Sequence, residues 1–263
     1  MPTAEHNGIT QHYEVSGDGP PLLLVAGMMS DSASWAPLVP LLEPHFTVIR
    51  PDNRTTGRTL PWDAPASVGH FADDCAALLA HLGLGPAHIL GHSLGGMISL
   101  RLACAHPQAV RTLTLAAAAP LRLERNVALF KALLAIRQSD AAPHVWLHAL
   151  FPWLFAPAIY EVEGMVEQAT AASLAYPYAQ SADAMAHQIA ALDGYVPDAL
   201  DAVQCPLQAL LAADDLLLPV ELARPTLGKV PTHVVAQAGH SIHWDAPDAV
   251  AEHLRQFIEE THT

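Results

Sequence analysis

A chain of 263 residues, about half of them hydrophobic and only 14% charged, has enough apolar surface for a sizeable core and too little charge to stay disordered. Its formal net charge of −14 argues against nucleic acid and anionic membrane surfaces as partners, because both reward clustered Lys and Arg. No apolar run approaches the roughly 18 residues that span a bilayer, and Met1 to Val15 lacks the basic start and apolar stretch of a secretory signal, so a soluble, cytoplasmic protein is expected.

In chain order, Asn7-Gly8 is a strong hairpin signal between two short segments, Thr3–His6 and Ile9–Val15, which are read as antiparallel strands. After the break at Gly17 to Pro21, Leu22–Ala26 is an unalternated apolar run of the kind buried on both faces of a parallel sheet. Ser34–Leu42 reads as helix and Phe46–Arg50 as strand. Ser67 caps a helix to about Leu82, with Phe71, Cys75, Leu78, Leu79 and Leu82 on one face and Gly83 and Gly85 at its end. His88–Leu90 is a strand, Leu94–Ala105 a helix closed by Pro107, and Val110–Ala116 a strand. This β-α-β order predicts a mostly parallel sheet with helices on both faces.

From about Leu121 to Ala199 no strand is evident. Helical runs broken at Pro143, Pro152, Pro157 and Pro177 carry Trp146, Phe151, Trp153, Phe155, Tyr160, Tyr176 and Tyr178. The pattern then resumes with a strand at Pro206–Ala212, a helix at Val220–Leu227, a strand at Thr232–Ala236 and a helix at Pro247–Glu260 whose Val250, Leu254, Phe257 and Ile258 face inward. The expected organisation is a core of residues 1–120 and 200–263 with a helical cap, 121–199, inserted late in the chain. Cys75, Cys104 and Cys205 are odd in number and form no C-x-x-C pair, so all three are expected as small buried apolar residues, with no disulfide framework or zinc site signalled.

Ligands of a parallel α/β sheet bind at the carboxyl ends of its strands. Four such ends carry chemistry: Gly27-Met28, Ser93 within Gly91-His92-Ser93-Leu94-Gly95, Asp214-Asp215, and Gly239-His240. A Gly-x-Ser-x-Gly turn leaves room only for small residues beside the serine and leaves its hydroxyl projecting. A neutral serine is a weak nucleophile that needs an adjacent base, and histidine can take and return a proton near neutral pH.

The segments L-L-L-V-A-G-M, P-D-N-R-T-T-G-R-T, G-H-S-L-G-G, A-A-D-D-L-L-L-P and A-G-H-S-I-H-W-D-A-P together resemble the α/β-hydrolase family over nearly the whole chain. The resemblance implies the α/β-hydrolase fold and a triad of Ser93, Asp215 and His240, the acid being chosen over Asp214 because it stands four residues before Pro219. It further implies an oxyanion hole from the backbone N–H groups of Met28 and Leu94. The chain departs from many relatives at Ala26-Gly27, where His-Gly is common, at Thr55 and at Ala212, where glycine is common.

The expected activity is hydrolysis of a carboxylic ester or lactone through an acyl-enzyme, with no cofactor and no metal. By resemblance, enol-lactonases such as those acting on 3-oxoadipate and small carboxylesterases are the nearest types. Alternatives on the same fold are carbon–carbon bond hydrolases, cofactor-free oxygenases or haloperoxidase-like enzymes, and a non-catalytic small-molecule receptor. Trp146, Phe151, Trp153 and Tyr178 are candidates to line the substrate site. His92 and His243 are read as packing or pocket lining, and Asp52-Asn53-Arg54 as a structural loop. Arg122, Arg125, Lys131 and Arg137 are either cations for an anionic substrate group or exposed helix charges. Self-association is left open.

Overall fold

The structure, a computed structural model, describes residues 2–261; the outermost ends of the expected core, residue 1 and residues 262–263, lie outside them. Asn7 and Gly8 both take positive φ, 47° and 74°, as a two-residue hairpin requires. They join β1 (Thr3–His6) to β2 (Ile9–Ser16) in antiparallel register. The strands that follow are β3 (Pro21–Val25), β4 (Thr47–Pro51), β5 (Ala87–His92), β6 (Val110–Ala116), β7 (Leu207–Ala212) and β8 (Thr232–Val235).

These make one eight-stranded sheet in the order β1-β2-β4-β3-β5-β6-β7-β8. The β2–β4 ladder is antiparallel and every ladder from β4 onward is parallel. All five residues of β3 and all six of β5 are buried, which is why they read as continuous rather than alternating apolar runs.

The α-helices are α1 (Val39–Leu42), α2 (Val68–Leu82), α3 (Leu94–Ala105), α4 (Glu124–Arg137), α5 (Val145–Leu154), α6 (Met165–Ala175), α7 (Ala182–Asp193), α8 (Val220–Leu227), α9 (Ile242–Asp245) and α10 (Pro247–Glu260). Phe71, Cys75 and Leu78 of α2 join Ile98 and Leu102 of α3 in the larger core on one face of the sheet. Trp35, Leu38 and Leu42 join Val250, Leu254 and Ile258 of α10 in the core on the other. Ser67 caps α2 by accepting from the His70 N–H, and Gly83 closes it at φ 65°. Between β6 and β7 the described chain forms α4 to α7 and no strand. No helix among the described residues is long and apolar enough to cross a membrane.

Four local expectations are corrected. Ser34–Leu42 is not one helix but a 3-10 turn, Ser32–Trp35, followed by the single turn of α1, because Pro37 and Pro40 remove N–H donors from the run. Pro152 does not break its helix; it lies two residues before the end of α5, where few ladder bonds remain to be lost. Phe257 is only half-buried, at the edge of the apolar stripe of α10. Cys75 is buried, whereas Cys104 and Cys205 are only partly so, lying in the last turn of α3 and in the link before β7.

Candidate active site

The elbow between β5 and α3 places Ser93 at φ 54° and ψ −120°, a backbone conformation that costs a non-glycine residue about 1–3 kcal/mol. Its neighbours must be small. A Cβ on Gly95 would stand 1.9 Å from the Val25 carbonyl oxygen, and one on Gly91 would stand 2.4 Å from both the Gly95 carbonyl oxygen and Ser99 Oγ. The strand, the turn and the helix are packed backbone against backbone here, and the hydroxyl is what projects.

His240 follows β8 and Asp215 follows β7, and the sheet brings both to Ser93. His240 Nε2 lies 2.7 Å from Ser93 Oγ, and His240 Nδ1 lies 2.8 Å from Asp215 Oδ2. Asp215 Oδ1 accepts from the N–H groups of Leu217 and Leu218 at 2.8 and 2.7 Å. Burial opposes ionisation of Asp215, but the His240 charge, its hydrogen bond and the two backbone donors hold the carboxyl below the usual range. Asp214 is exposed and its backbone N–H goes to the Ala238 carbonyl. The arrangement is a buried acid fixing an imidazole against a hydroxyl, which is the geometry for deprotonating a serine as it attacks a carbonyl carbon.

Leu94 is the first residue of α3 and Met28 follows β3. Among the described residues neither backbone N–H donates to a protein acceptor; for Leu94 this follows from its place in the first turn of a helix. Met28, Ser93 and Leu94 border one small space of about 40 Å³. The turn itself is held from two sides. Asn53 Nδ2 donates to the Ala26 carbonyl at 3.0 Å, and the next residue, Met29, at φ 59°, donates its N–H to Gln188 Oε1 at 2.9 Å. Gln180 Nε2 donates to the same Gln188 oxygen at 3.2 Å and to the Thr55 carbonyl at 2.8 Å. Neither glutamine carries a motif. The signal available was a polar residue, Gln188, within the buried stripe of Met185, Ile189 and Leu192 on α7.

The other two histidines near the site, His92 and His243, are packed beneath it and also border the cavity. His92 Nε2 donates to the His240 carbonyl at 2.8 Å, and burial, with His240 beside it, pushes the His92 imidazole down to about 3. His243 packs against Trp35 at 4.6 Å between centroids and is held well below its ordinary value by burial. Asp245 Oδ2 accepts from the N–H groups of Gly239 and Ala156, tying the His240 loop to the end of α5. Arg54 forms a buried two-point pair with Asp74, Nε to Oδ2 at 2.6 Å and Nη2 to Oδ1 at 2.7 Å, and Asp52 accepts from Ser32 N and Arg58 N. The Asp52 to Arg54 loop is therefore scaffolding.

A cavity of about 360 Å³ lies over Ser93 and His240. Its wall is mostly apolar and comes largely from the helical segment between β6 and β7. Trp146, Phe151 and Tyr178 line it, joined by Phe155, named above only among the aromatic residues of this segment, and by Phe130, Leu147, Leu150 and Leu154, which the sequence reading did not single out. Their spacing on α5 is the i, i+3, i+4 pattern of one helix face. Trp153 does not line the cavity; it stands at the margin of that face and packs against the larger core. Of the four cations considered, Arg137 alone lines the large cavity, while Arg122 borders the small space.

The sheet order, the strained serine elbow and the strand-end positions of Asp215 and His240 define the α/β-hydrolase class of fold. The family model described as "Alpha/beta hydrolase family" matches residues 22–253, and the chain belongs to that family as one of its enzymes. It is similar to a protein named "Putative carbamate hydrolase RutD" from Azorhizobium caulinodans, at 30% identity over 99% of both chains. A protein of the same name from Variovorax paradoxus is 31% identical over 88% of this chain and 89% of that one. Among solved structures, the enol-lactonase from Burkholderia xenovorans LB400 superposes with a TM-score of 0.85 at 22% identity, covering 98% of this chain and 100% of that one. A thermophilic esterase from Thermogutta terrifontis does so with a TM-score of 0.84 at 24% identity, covering 99% and 97%.

Proposed function

We propose that this enzyme cleaves a carboxylic ester or lactone through an acyl-enzyme on Ser93, with residues 121–199 acting as a cap that shapes the substrate cavity. The observation that carries the reading is the continuous chain from Asp215 through His240 to Ser93 Oγ, with contacts of 2.8 and 2.7 Å, at the floor of a largely apolar cavity. Ser93 Oγ attacks the carbonyl carbon while His240 Nε2 takes its proton. The oxyanion that forms meets the N–H groups of Met28 and Leu94, and His240 returns the proton to the leaving oxygen. Water, activated by His240, then attacks the acyl carbon and releases Ser93. Asp215 keeps the His240 tautomer and balances the imidazolium charge in both halves.

The test is turnover of short and medium acyl p-nitrophenyl esters by wild type and Ser93→Ala, with intact-mass detection of a phosphonate adduct. Loss of turnover and of the adduct in Ser93→Ala is expected. Equal turnover in the two proteins would overturn the assignment.

A second reading is favoured by the names of the RutD relatives: the scissile carbonyl belongs to a carbamate. The same nucleophile, base and oxyanion donors serve that carbonyl. Matched carbamate and carboxylic ester substrates with one leaving group separate the two readings by their kcat/KM ratio.

A further inference from the structure

We propose that Arg137 forms an anion subsite in the cavity and that the substrate carries a carboxylate remote from the bond cleaved; this rests on the hydrolase reading above for the reaction, though not for the binding. Arg137 is the last residue of α4 and the sole Lys or Arg among the described residues lining the large cavity. The other cations of that helix and the link before it are engaged elsewhere. Arg122 and Lys131 both pair with Asp193, at 2.8 Å each, and Arg125 is an exposed residue whose Nη2 donates to the Leu216 carbonyl. Arg137 forms no ion pair with a carboxylate of the described residues: its guanidinium meets the Gln180 carbonyl, the Met185 sulfur at 3.7 Å and the face of Trp146, 4.6 Å from the ring centroid.

A half-buried guanidinium without a counter-charge is an expensive feature in an apolar wall. Burial alone accounts for the lowering of its pKa, with no acid raising it in return. The other charged side chain on the wall, Asp31, is already satisfied by the Tyr176 hydroxyl at 2.8 Å and the Ala33 N–H at 2.9 Å. Stacking on Trp146 holds the guanidinium plane in place. A fixed planar fork with one positive charge fits a carboxylate, which takes two parallel N–H bonds and carries one negative charge. The chain as a whole repels anions, at −14, so an anionic substrate needs such a local partner.

The test compares monoethyl esters of succinic, glutaric and adipic acid with their ester amides, in which CONH2 replaces the carboxylate. Wild type is expected to prefer the best acid ester by about tenfold or more in kcat/KM, chiefly through KM, with the preference shrinking as salt is raised. In Arg137→Gln that ratio should collapse toward one, and Arg137→Lys should keep part of it. A wild-type ratio of one, or an undiminished ratio in Arg137→Gln, overturns the subsite. Failure of the hydrolase reading is distinguishable, because calorimetric binding of glutaramate, which carries one carboxylate, against the neutral diamide glutaramide to wild type and Ser93→Ala needs no turnover. Glutaramate should bind both proteins and lose its advantage in Arg137→Gln; equal or absent binding of the two ligands to wild type again overturns it.

Discussion

Gln188 Oε1, on the buried face of α7, stands 2.9 Å from the Met29 backbone nitrogen, so a helix of the segment between β6 and β7 holds the turn that carries the Met28 N–H. In a chain with Ala26 ahead of Gly27 there is no polar side chain at that place to brace the turn from within. The bracing comes instead from Asn53 on one side and Gln188 on the other.

Replacing Gln188 by Leu removes the acceptor that holds the Met29 N–H. The expected result is a fall of roughly tenfold to a hundredfold in kcat with little change in KM, because the defect is in orienting the Met28 N–H, the oxyanion donor of the proposed reaction. Gln188→Glu, which keeps an oxygen at that position, should recover part of the loss. Steady-state kinetics on one neutral ester reads both, and a KM-only effect would contradict the positioning role.

Asp215→Asn should lower kcat/KM by on the order of a thousandfold or more, since the imidazole loses both its orienting acceptor and its counter-charge. Asp214→Asn, exposed and away from the imidazole, should stay near wild type. The reverse ranking in the same assay would move the acid from Asp215 to its neighbour.

Ser93→Gly should abolish ester turnover and at the same time stabilise the fold by about 1 kcal/mol, because glycine takes φ 54° and ψ −120° without the steric penalty that serine carries. Urea unfolding of the two proteins checks it. A destabilised glycine variant would mean the elbow is unstrained.

Acidification should destabilise the fold through His92. Its imidazole binds a proton near 6.5 when unfolded but only at about 3 when folded, so between those values the unfolded chain holds the extra proton and stability falls as pH falls. The contribution is present above about 6.5 and amounts to about 2 kcal/mol of loss between pH 7 and pH 5. His92→Gln, which retains a donor for the His240 carbonyl, should show a correspondingly shallower loss in urea titrations at those two pH values. Identical slopes would place the proton uptake elsewhere.

Part of the candidate site was legible in the sequence. Gly91, Ser93 and Gly95 mark a strand-to-helix turn by local sterics, and Asp215 and His240 follow recognisable apolar strands. The single turn of α1 and the persistence of α5 past Pro152 were not legible, because each depends on how few ladder bonds a proline removes at its particular place. The wall of the cavity was read only in part. Trp146 and Trp153 look alike in sequence and both pack against the larger core, yet only Trp146 of the two also lines the cavity, where it stacks on Arg137.

By itself, then, the sequence determined the order of strands and helices and, through the rule that parallel strands present their ends at one edge, which residues could meet as nucleophile, base and acid. Tertiary structure alone decided what surrounds them: Gln188 under the Met29 turn, Arg137 without a carboxylate partner among the described residues, Phe130 and Leu147 in the wall. The helices that supply these residues bury apolar stripes against both the core and the cavity. Periodicity marks such a stripe but not which of the two it faces, because that is set by how the helices pack on one another and on the sheet.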